Sequence, residues 1–327
     1  MQLAVLRGPH ATLAFVAGEW AFEFRGTYAF YLDEFERNRD GKRIAQLCIP
    51  DDVNDFIRLH QGAMQRFDRL VEFALANVEE LKSFGLAQPF ETARLLPANP
   101  RPRKIVCCGN SYARYLREWG LPKDEWPQDV KISFLKSPQS LIGHRDTIEF
   151  PPDSEQWDYE NELAVVIGAY CSDITEEEAP KHIFGYTVLN DACVRDIPSW
   201  TGRYDSPRGK AVDTFAPLGP VITPAEYLGR SPNDLEILTK VDGEVRQHDR
   251  TSGLLWPVER IVAFVSRYMT LEPGDILATG STSGNALVCG KWLREGQTIT
   301  CSMEGIGTLE SKIGVRRWRE PTLSRAA

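Results

Sequence analysis

The segment YENELAVVIG, residues 159–168, joins two acidic residues to a continuous apolar run. A short run rich in Val and Ile that ends at a Gly is typical of a buried β-strand. Residues i and i+2 of a strand point to the same face, so Glu160 and Glu162 would present their carboxylates side by side. This strand is therefore expected to carry a pair of negative charges at the start of its apolar run.

Two like charges that lose hydration need a cation or shared protons to remain together. A hard divalent cation with oxygen ligands, such as Mg²⁺, Mn²⁺ or Ca²⁺, meets that need. The spacing of Glu160 and Glu162 alone leaves a second interpretation open. In that interpretation both are ordinary glutamates on a solvent-facing edge of a strand.

A third acid, Asp191, directly follows the apolar run GYTVLN, residues 185–190, and so stands at the end of another expected strand. Nearby, Arg195 could pair with Asp196 or hold a substrate carboxylate through a bidentate fork. Lys210 lies in a Gly-flanked loop, where a lone lysine is usually just solvated. These residues extend the candidate site beyond the first strand.

The second part of the chain alternates short apolar runs with Gly, Pro and Asp turns, which predicts strands. A helix is expected around VERIVAFVSRYM, residues 258–269, but the regular strand–helix alternation of a doubly wound sheet is absent. The fold class is therefore predicted to be α+β and mainly β. The expected strands are KIVCCG, ISFLK, ELAVVIGAY, GYTVLND, LEILTKVDGE, DILATG and QTITCSM.

The N-terminal part has a different pattern. Short aromatic and apolar runs before residue 35, including AFEFRG and YAFYL, predict antiparallel strands. Apolar residues at three- and four-residue steps predict a helix over residues 63–81, with Gly85 as its C-terminal cap. Three prolines within residues 97–102 exclude a helix or a central strand there. We place a boundary at that point, between an N-terminal α+β domain, residues 1–100, and a catalytic domain, residues 101–327.

Composition excludes several classes of protein. The 327 residues carry a formal net charge of −8 and no long basic run, so a nucleic-acid partner is not expected. The apolar runs are shorter than the roughly 20 residues that a membrane helix needs, and no secretory signal opens the chain. Seven cysteines without a C-x-x-C pair indicate reduced thiols. A cytoplasmic protein that acts on a small molecule is the expectation.

Six segments resemble, in the same order, successive landmarks of the fumarylacetoacetate hydrolase family. The resemblance covers roughly residues 103–315, nearly the whole second domain. The segments are ENEL, HIFGYTVLNDACVRDI, GKAVDTFAPLGP, DGEVRQHDRTS, LEPGDILATGS and MEGIGTLESKI.

The resemblance implies a mixed β-sandwich roll for the second domain and a homodimeric assembly. By motif position it implies that Mg²⁺ or Mn²⁺, with Ca²⁺ as a further option, is held by Glu160, Glu162 and Asp191. Lys210 matches the active-site lysine of the family, and Arg195 lies where the family places an arginine near the substrate.

The loop Thr279-Gly280-Ser281 resembles the TGT turn of the family, whose hydroxyl and amide groups bind the substrate carboxylate. The family's turn continues with a proline, which this sequence lacks. Pro198 likewise stands where many relatives have a glutamine near the substrate. The resemblance therefore supports the scaffold and the metal site, whereas these departures weaken hydrolysis as the particular reaction.

A second departure concerns the lid segment, residues 111–118. Hydrolytic members of the family have a histidine there, and a glutamate three residues later, to handle the nucleophilic water. Glu118 matches the glutamate, but Tyr115 occupies the histidine position. A tyrosine hydroxyl, with a pKa near 10, is a poor base at neutral pH but a competent proton donor.

The expected reaction is metal-dependent hydrolysis of a carbon–carbon bond in a 2-oxo acid of the acylpyruvate type. Glu118 would activate water, and Lys210 would help the metal to stabilise the enolate that leaves. A lyase or isomerase reaction on a 2-oxo acid, such as dehydration or decarboxylation, stays open because of Tyr115. A catalytically silent protein that binds a 2-oxo acid is a third interpretation, which the intact set of three carboxylates disfavours.

Overall fold

The computed structural model describes residues 1–197 and 206–317, and it combines many short strands with short helices. The strands are β1 (Gln2–Leu6), β2 (Thr12–Ala17), β3 (Trp20–Glu23), β4 (Ala87–Pro89), β5 (Ile105–Cys108), β6 (Ile132–Lys136), β7 (Leu141–Ile142), β8 (Thr147–Phe150), β9 (Trp157–Asp158), β10 (Asn161–Ile167), β11 (Ile183–Asn190), β12 (Cys193–Val194), β13 (Ala216–Pro224), β14 (Glu236–Val241), β15 (Glu244–Arg250), β16 (Ile276–Ala278), β17 (Thr298–Met303) and β18 (Gly307–Val315). The α-helices are α1 (Phe24–Phe30), α2 (Gly41–Cys48), α3 (Val53–His60), α4 (Asp68–Ala76), α5 (Val78–Ser83), α6 (Ala113–Glu118), α7 (Ser206–Lys210), α8 (Val258–Tyr268) and α9 (Ala286–Cys289). Single π or 3₁₀ turns occupy Tyr31–Phe35, Met64–Phe67, Phe90–Thr92, Lys123–Glu125, Pro138–Ser140, Ala179–His182, Ala225–Tyr227 and Thr251–Gly253.

The strands form two mixed sheets and a small ribbon. The large sheet has the order β4-β3-β2-β1-β13-β11-β10-β16-β5-β6, with β7 beside β13, and the second has the order β15-β14-β17-β18-β8. The pairs β16–β5, β13–β7 and β18–β8 are parallel, and the other pairs are antiparallel. Neither sheet closes into a barrel. The predicted α+β, mainly β fold class is confirmed.

Strand β10 lies inside the large sheet and is buried on both faces. Leu163, Val165 and Ile167 belong to the apolar core that includes residues of β14, β17 and α8. Ala164 and Val166 belong to the core that includes residues of α3 and α4. This two-residue alternation explains the unbroken apolar run in the sequence, because a strand covered on both faces has no solvent side.

The N-terminal strands are shorter than the sequence pattern suggested. Strands β1, β2 and β3 form as expected, but the segment YAFYL is helical, in α1 and the π turn that follows it. The prediction of a strand there was wrong. The carboxylate of Glu23 accepts a hydrogen bond from the N–H of Gly26 and caps α1, which fixes a helix start directly after β3.

The helix expected over residues 63–81 is broken into a 3₁₀ turn, α4 and α5. The break between α4 and α5 lies at Asn77, whose side-chain amide donates to the carbonyl of Phe73 at 2.7 Å. A side chain that bonds the backbone locally in this way competes with the helical hydrogen-bond ladder. The apolar periodicity predicts the helical segments, and the polar residue Asn77 interrupts them.

The N-terminal part joins the large sheet directly. Strand β1 pairs antiparallel with β13, with Leu3 opposite Ile222, and the backbone N–H of Ala98 donates to the carbonyl of Leu218 at 3.0 Å. The proline-rich segment around Ala98 is itself buried. The division into domains at residue 100 stays a prediction.

Buried His60 should make folding stability depend on pH. Burial lowers the pKa of His60 from 6.5 to about 4, although its Nε2 contacts the carbonyl of Cys48 at 2.6 Å. As pH falls, His60 therefore takes up its proton in the unfolded chain before it does so in the folded protein. The free energy of unfolding consequently decreases as pH falls from about 6.5 towards 4. We expect His60 to account for up to about 2 kcal/mol of the loss in unfolding free energy between pH 7.5 and pH 5.

The check is urea unfolding of the wild type and of His60→Gln at both pH values. Glutamine can still donate to Cys48 but does not titrate in this range, so the variant should show a smaller change with pH. An equal change in both proteins would exclude His60 as the source.

Two further expectations concern the whole chain. Within residues 1–197 and 206–317, no helix combines the length and apolar character needed to cross a bilayer. All seven cysteines are unpaired thiols, as predicted, and Cys289 is the exposed one among them.

Candidate metal centre

The pairing of β10 with β11 brings the three predicted metal ligands together. These strands are antiparallel, and Asn161 lies opposite Asn190. Just beyond that pair, the N–H of Asp191 donates to the carbonyl of Glu160 at 2.8 Å. The amide oxygen of Asn190 accepts from the N–H of Glu160 at 3.1 Å. The end of β11 is thereby fixed against the start of β10.

Glu160, Glu162 and Asp191 form a compact carboxylate trio. One oxygen of each lies within 4.8 Å of the others, and all three residues are at most 8 % exposed. Burial, followed by repulsion from Asp191 and Glu160, raises the pKa of Glu162 well above its usual range. Three buried carboxylates whose negative charges repel one another suit a hard divalent cation, which prefers oxygen ligands. The residues present therefore fit a metal of the Mg²⁺ or Mn²⁺ type.

Two buried lysines partly neutralise the trio. Lys210, at the end of α7, donates to Glu160 and, at 2.6 Å, to Asp191. Burial disfavours its charge, but the carboxylate of Asp191 and that of Glu160 raise the pKa of Lys210 well above its usual range. Lys136, at the end of β6, donates to Asp191 and, at 2.6 Å, to the carbonyl of Lys210. Asp191 is thus held from two sides.

Sequence patterns do not identify Lys136 as a residue of the candidate site. It ends the strand ISFLK, and its side chain is fully buried. The signal was its position at the end of an apolar run, where a solvated lysine is out of place, but its partner lies 55 residues away. Its neighbour in space could therefore not be inferred from spacing.

Arg195 lies beside the trio and bonds two acids. Its guanidinium donates to Asp158 at 2.8 Å and to Glu160 at 2.5 Å. Burial works to raise the pKa of Glu160, but Lys210 and Arg195 outweigh it and hold that pKa well below its usual range. Asp158 also accepts from the N–H of Ala286 at 2.5 Å and so ties Arg195 to the start of α9. The predicted contact of Arg195 with a substrate carboxylate stays a prediction.

The predicted substrate loop 279–281 runs against the same carboxylates. The hydroxyl of Thr279 donates to the carbonyl of Leu163 at 3.0 Å, and the N–H of Gly280 donates to Glu162 at 2.8 Å. Ser281 lines the cavity above the trio and accepts from the side chain of Gln247 at 3.0 Å. Of the three residues, Ser281 lines the cavity, whereas Thr279 bonds the backbone of β10 and Gly280 bonds the predicted metal ligand Glu162.

The lid segment forms α6, and its two predicted catalytic residues face different surroundings. Tyr115 lines the cavity, and burial, followed by the charge of Glu160, raises the pKa of Tyr115 to about 12. Glu118 accepts from Ser283 and, at 2.8 Å, from Arg114. Burial works to raise the pKa of Glu118, but these two hydrogen bonds lower it. Tyr115 is thus a protonated group in the cavity wall, whereas Glu118 is a hydrogen-bonded carboxylate that is not among the residues lining the cavity.

A cavity of about 390 Å³ opens over the trio. Its inner end carries the three buried carboxylates with Lys210 and Arg195, and the ring of Phe134 lies there too, with its centroid 5.2 Å from the ammonium of Lys210. The rest of the lining includes the buried Tyr115, the exposed Trp119 and Lys131, and the partly buried Leu287, Ser133 and Asn110. Pro198, predicted to lie near the substrate, falls outside the described residues. An anionic head group held at a cation and a tail against carbon surfaces would fit this arrangement.

The chain is similar to proteins of one known family. Residues 104–314 match the family model of the fumarylacetoacetate (FAA) hydrolase C-terminal domain. Oxaloacetate tautomerase YisK of Bacillus subtilis is 36 % identical over 278 residues, which are 84 % of this chain and 90 % of that protein.

Two solved structures share the fold over 97 % of this chain and all of theirs. Fumarylacetoacetate hydrolase from Exiguobacterium antarcticum has a TM-score of 0.73 at 29 % identity. Maleylpyruvate hydrolase from Sphingobium sp. SYK-6, in complex with manganese(II) and pyruvate, has a TM-score of 0.68 at 25 % identity. The chain therefore belongs to the fumarylacetoacetate hydrolase family.

Proposed function

We propose that this protein is a divalent-metal-dependent isomerase that converts the enol form of a 2-oxo acid, of the oxaloacetate type, to the keto form. The observation that carries the proposal is the placement of the two lid residues. Tyr115, a proton donor, lines the cavity, while Glu118, the candidate base for a hydrolytic water, is engaged by Ser283 and Arg114. The similarity to an oxaloacetate tautomerase supports the same reaction type.

The site has the residues that such a reaction needs. A divalent cation held by Glu160, Glu162 and Asp191 would supply a Lewis acid for the 1-carboxylate and the 2-oxo oxygen. Lys210 keeps its proton and its charge, so it can stabilise the negative charge that develops on the substrate oxygen. Its ammonium is fixed by two carboxylates and needs no rearrangement to do so.

The proton balance of the isomerisation is simple. The C2–C3 double bond of the enol becomes a single bond, the C2–O bond becomes the carbonyl, and carbon 3 gains a proton. The 2-hydroxyl releases its proton to water, and the proton donor regains one from water, so no co-reactant is consumed. Because the pKa of Tyr115 is about 12, its hydroxyl remains protonated at neutral pH and is suited to donate at carbon 3. Ser281 lines the cavity and is suited to orient the substrate carboxylate.

The second candidate is the hydrolysis of a carbon–carbon bond in an acylpyruvate. The ionised carboxylate of Glu118 is a possible base for it, although the hydrogen bonds that lower the pKa of Glu118 also make it a weaker base. The similarity to a maleylpyruvate hydrolase favours it as well. It would require Glu118 to leave Ser283 and Arg114 and to reach a water in the cavity.

The two candidates are separated by measuring both reactions with one preparation. Mn²⁺-loaded protein is mixed with freshly dissolved enol oxaloacetate and, separately, with fumarylpyruvate. We expect the loss of enol absorbance to accelerate without release of pyruvate, and fumarylpyruvate to be cleaved at least about a hundredfold more slowly, because Glu118 is engaged. Faster release of pyruvate from fumarylpyruvate than ketonisation of oxaloacetate would establish the hydrolase instead.

A further inference from the structure

The charge of the site indicates what kind of anion it takes. Four carboxylates and three cations form one cluster at and directly behind the inner end of the cavity, and their charges sum to one negative charge when all are ionised. A bound divalent cation would turn this into one positive charge, and one carboxylate of a substrate would balance it. The four acids are Asp158, Glu160, Glu162 and Asp191, and the three cations are Lys136, Lys210 and Arg195.

The outer part of the cavity has a further positive charge. Lys131 lines it, just before β6, and is exposed. Among the described residues that line the cavity, the other cations are Lys210 and Arg195, and both bond carboxylates of the site. Within the described part of the chain, Lys131 pairs with no carboxylate. It is therefore the cation that can accept a new anionic partner without releasing an old one.

The backbone at Lys131 is anchored, which fixes where its side chain starts. The N–H of Gly109, at the end of β5, donates to the carbonyl of Lys131 at 3.0 Å. The rings of Tyr115 and Trp119 also line the cavity and offer surfaces to a ligand, whereas the ring of Phe134 lies against Lys210. A second carboxylate on a substrate would lose hydration against these rings, and Lys131 is placed to compensate that loss.

We infer that Lys131 is a specificity-determining residue, which binds the second carboxylate of a 2-oxo dicarboxylate while the trio end takes the 1-carboxylate and the 2-oxo group. This inference rests on the proposed function and narrows it to dianionic substrates. A 2-oxo monocarboxylate would bind at the inner end in the same way and would gain nothing from Lys131.

The test compares a dicarboxylate with a monocarboxylate. Wild type, Lys131→Met and Lys131→Arg are assayed with the enols of oxaloacetate and of phenylpyruvate at low ionic strength. We expect Lys131→Met to lower the ratio of kcat/KM for oxaloacetate to that for phenylpyruvate about tenfold, mainly through KM. Lys131→Arg should restore most of the ratio. Lys123→Met removes the same charge from an exposed turn outside the cavity and should leave the ratio unchanged.

A binding measurement keeps this test independent of turnover. The affinities of the Mn²⁺-loaded proteins for 2-oxoglutarate and 2-oxobutyrate are measured by calorimetry. If the preference for the dicarboxylate falls about tenfold in Lys131→Met, the inference is supported. A wild type that isomerises neither enol would overturn the proposed function and leave this binding result standing. An unchanged preference in Lys131→Met would show that Lys131 is merely solvated and would overturn the inference.

Discussion

Replacing Glu162 with glutamine is expected to abolish metal-dependent turnover, with kcat/KM lower by about a thousandfold or more. Glu162 accepts a hydrogen bond from the backbone N–H of Gly280 at 2.8 Å. Glu160 and Asp191 accept instead from ammonium or guanidinium groups. The charge of Glu162 is therefore the one that most needs a cation. Loss of an outer partner of a metal ligand already weakens metal binding about 10- to 100-fold, and loss of the ligand itself should cost more.

The same substitution should not weaken the metal-free fold. Glutamine can still accept from Gly280, and it removes a charge that Asp191 and Glu160 repel. Thermal unfolding of the metal-free proteins should therefore show Glu162→Gln at least as stable as the wild type. Added Mn²⁺ should raise the melting temperature of the wild type but not that of the variant.

Glu125→Gln is the matched control, because Glu125 is an exposed glutamate on a 3₁₀ turn. It should retain wild-type activity and the response to Mn²⁺. Full metal-dependent turnover by Glu162→Gln would remove Glu162 from the metal site.

Replacing Lys210 with methionine is expected to lower kcat by about 10²–10³-fold while Mn²⁺ still binds. The ammonium of Lys210 lines the cavity and pairs with two members of the trio, and loss of one such preorganised group typically costs a factor of this size. The three carboxylates remain, so the metal keeps its ligands. The measurements are kcat with enol oxaloacetate and a Mn²⁺ titration of the same samples.

The metal-free variant should also be less stable, by about 3–5 kcal/mol, since Glu160 and Asp191 lose a buried partner. Lys104→Met is the control for that effect, because Lys104 pairs with the buried Asp275 at 2.6 Å away from the trio. It should lose stability but keep its kcat. A Lys210→Met protein with bound Mn²⁺ and kcat within twofold of the wild type would show that Lys210 only balances charge.

The grouping of the three carboxylates could be predicted because its information is local. Glu160 and Glu162 share one strand, and their side chains point to one face by the two-residue period. Asp191 ends the next strand of the sheet, so simple antiparallel pairing brings it to Glu160. The strand pattern of the second part of the chain was recognisable for the same reason, since strands buried on both faces are unbroken apolar runs.

The partners of the trio could not be predicted, because they come from distant segments. Lys136 reaches Asp191 only because β5 and β6 complete the sheet edge beyond β16. Asp158 holds both Arg195 and the start of α9, and neither contact has a sequence signal. A lone charged residue looks the same in a sequence whether it is solvated or paired in a core.

The lid shows the limit of reading function from a motif. The exchange of histidine for Tyr115 is evident in the sequence, and proton donation by Tyr115 stays a prediction. The engagement of Glu118 by Ser283 and Arg114 was not evident, since Ser283 lies 165 residues away. That contact is what moves the preferred reaction from hydrolysis to isomerisation.

We propose that a divalent cation in the carboxylate trio enables enol chemistry on a 2-oxo acid. The decisive measurement is the rate of enol oxaloacetate ketonisation by protein freed of metal with a chelator, before and after stoichiometric Mn²⁺ or Mg²⁺ is added. We expect the metal-free protein to leave the rate at the uncatalysed value and the added metal to restore catalysis. Full catalysis by protein shown by elemental analysis to hold no metal would contradict the account.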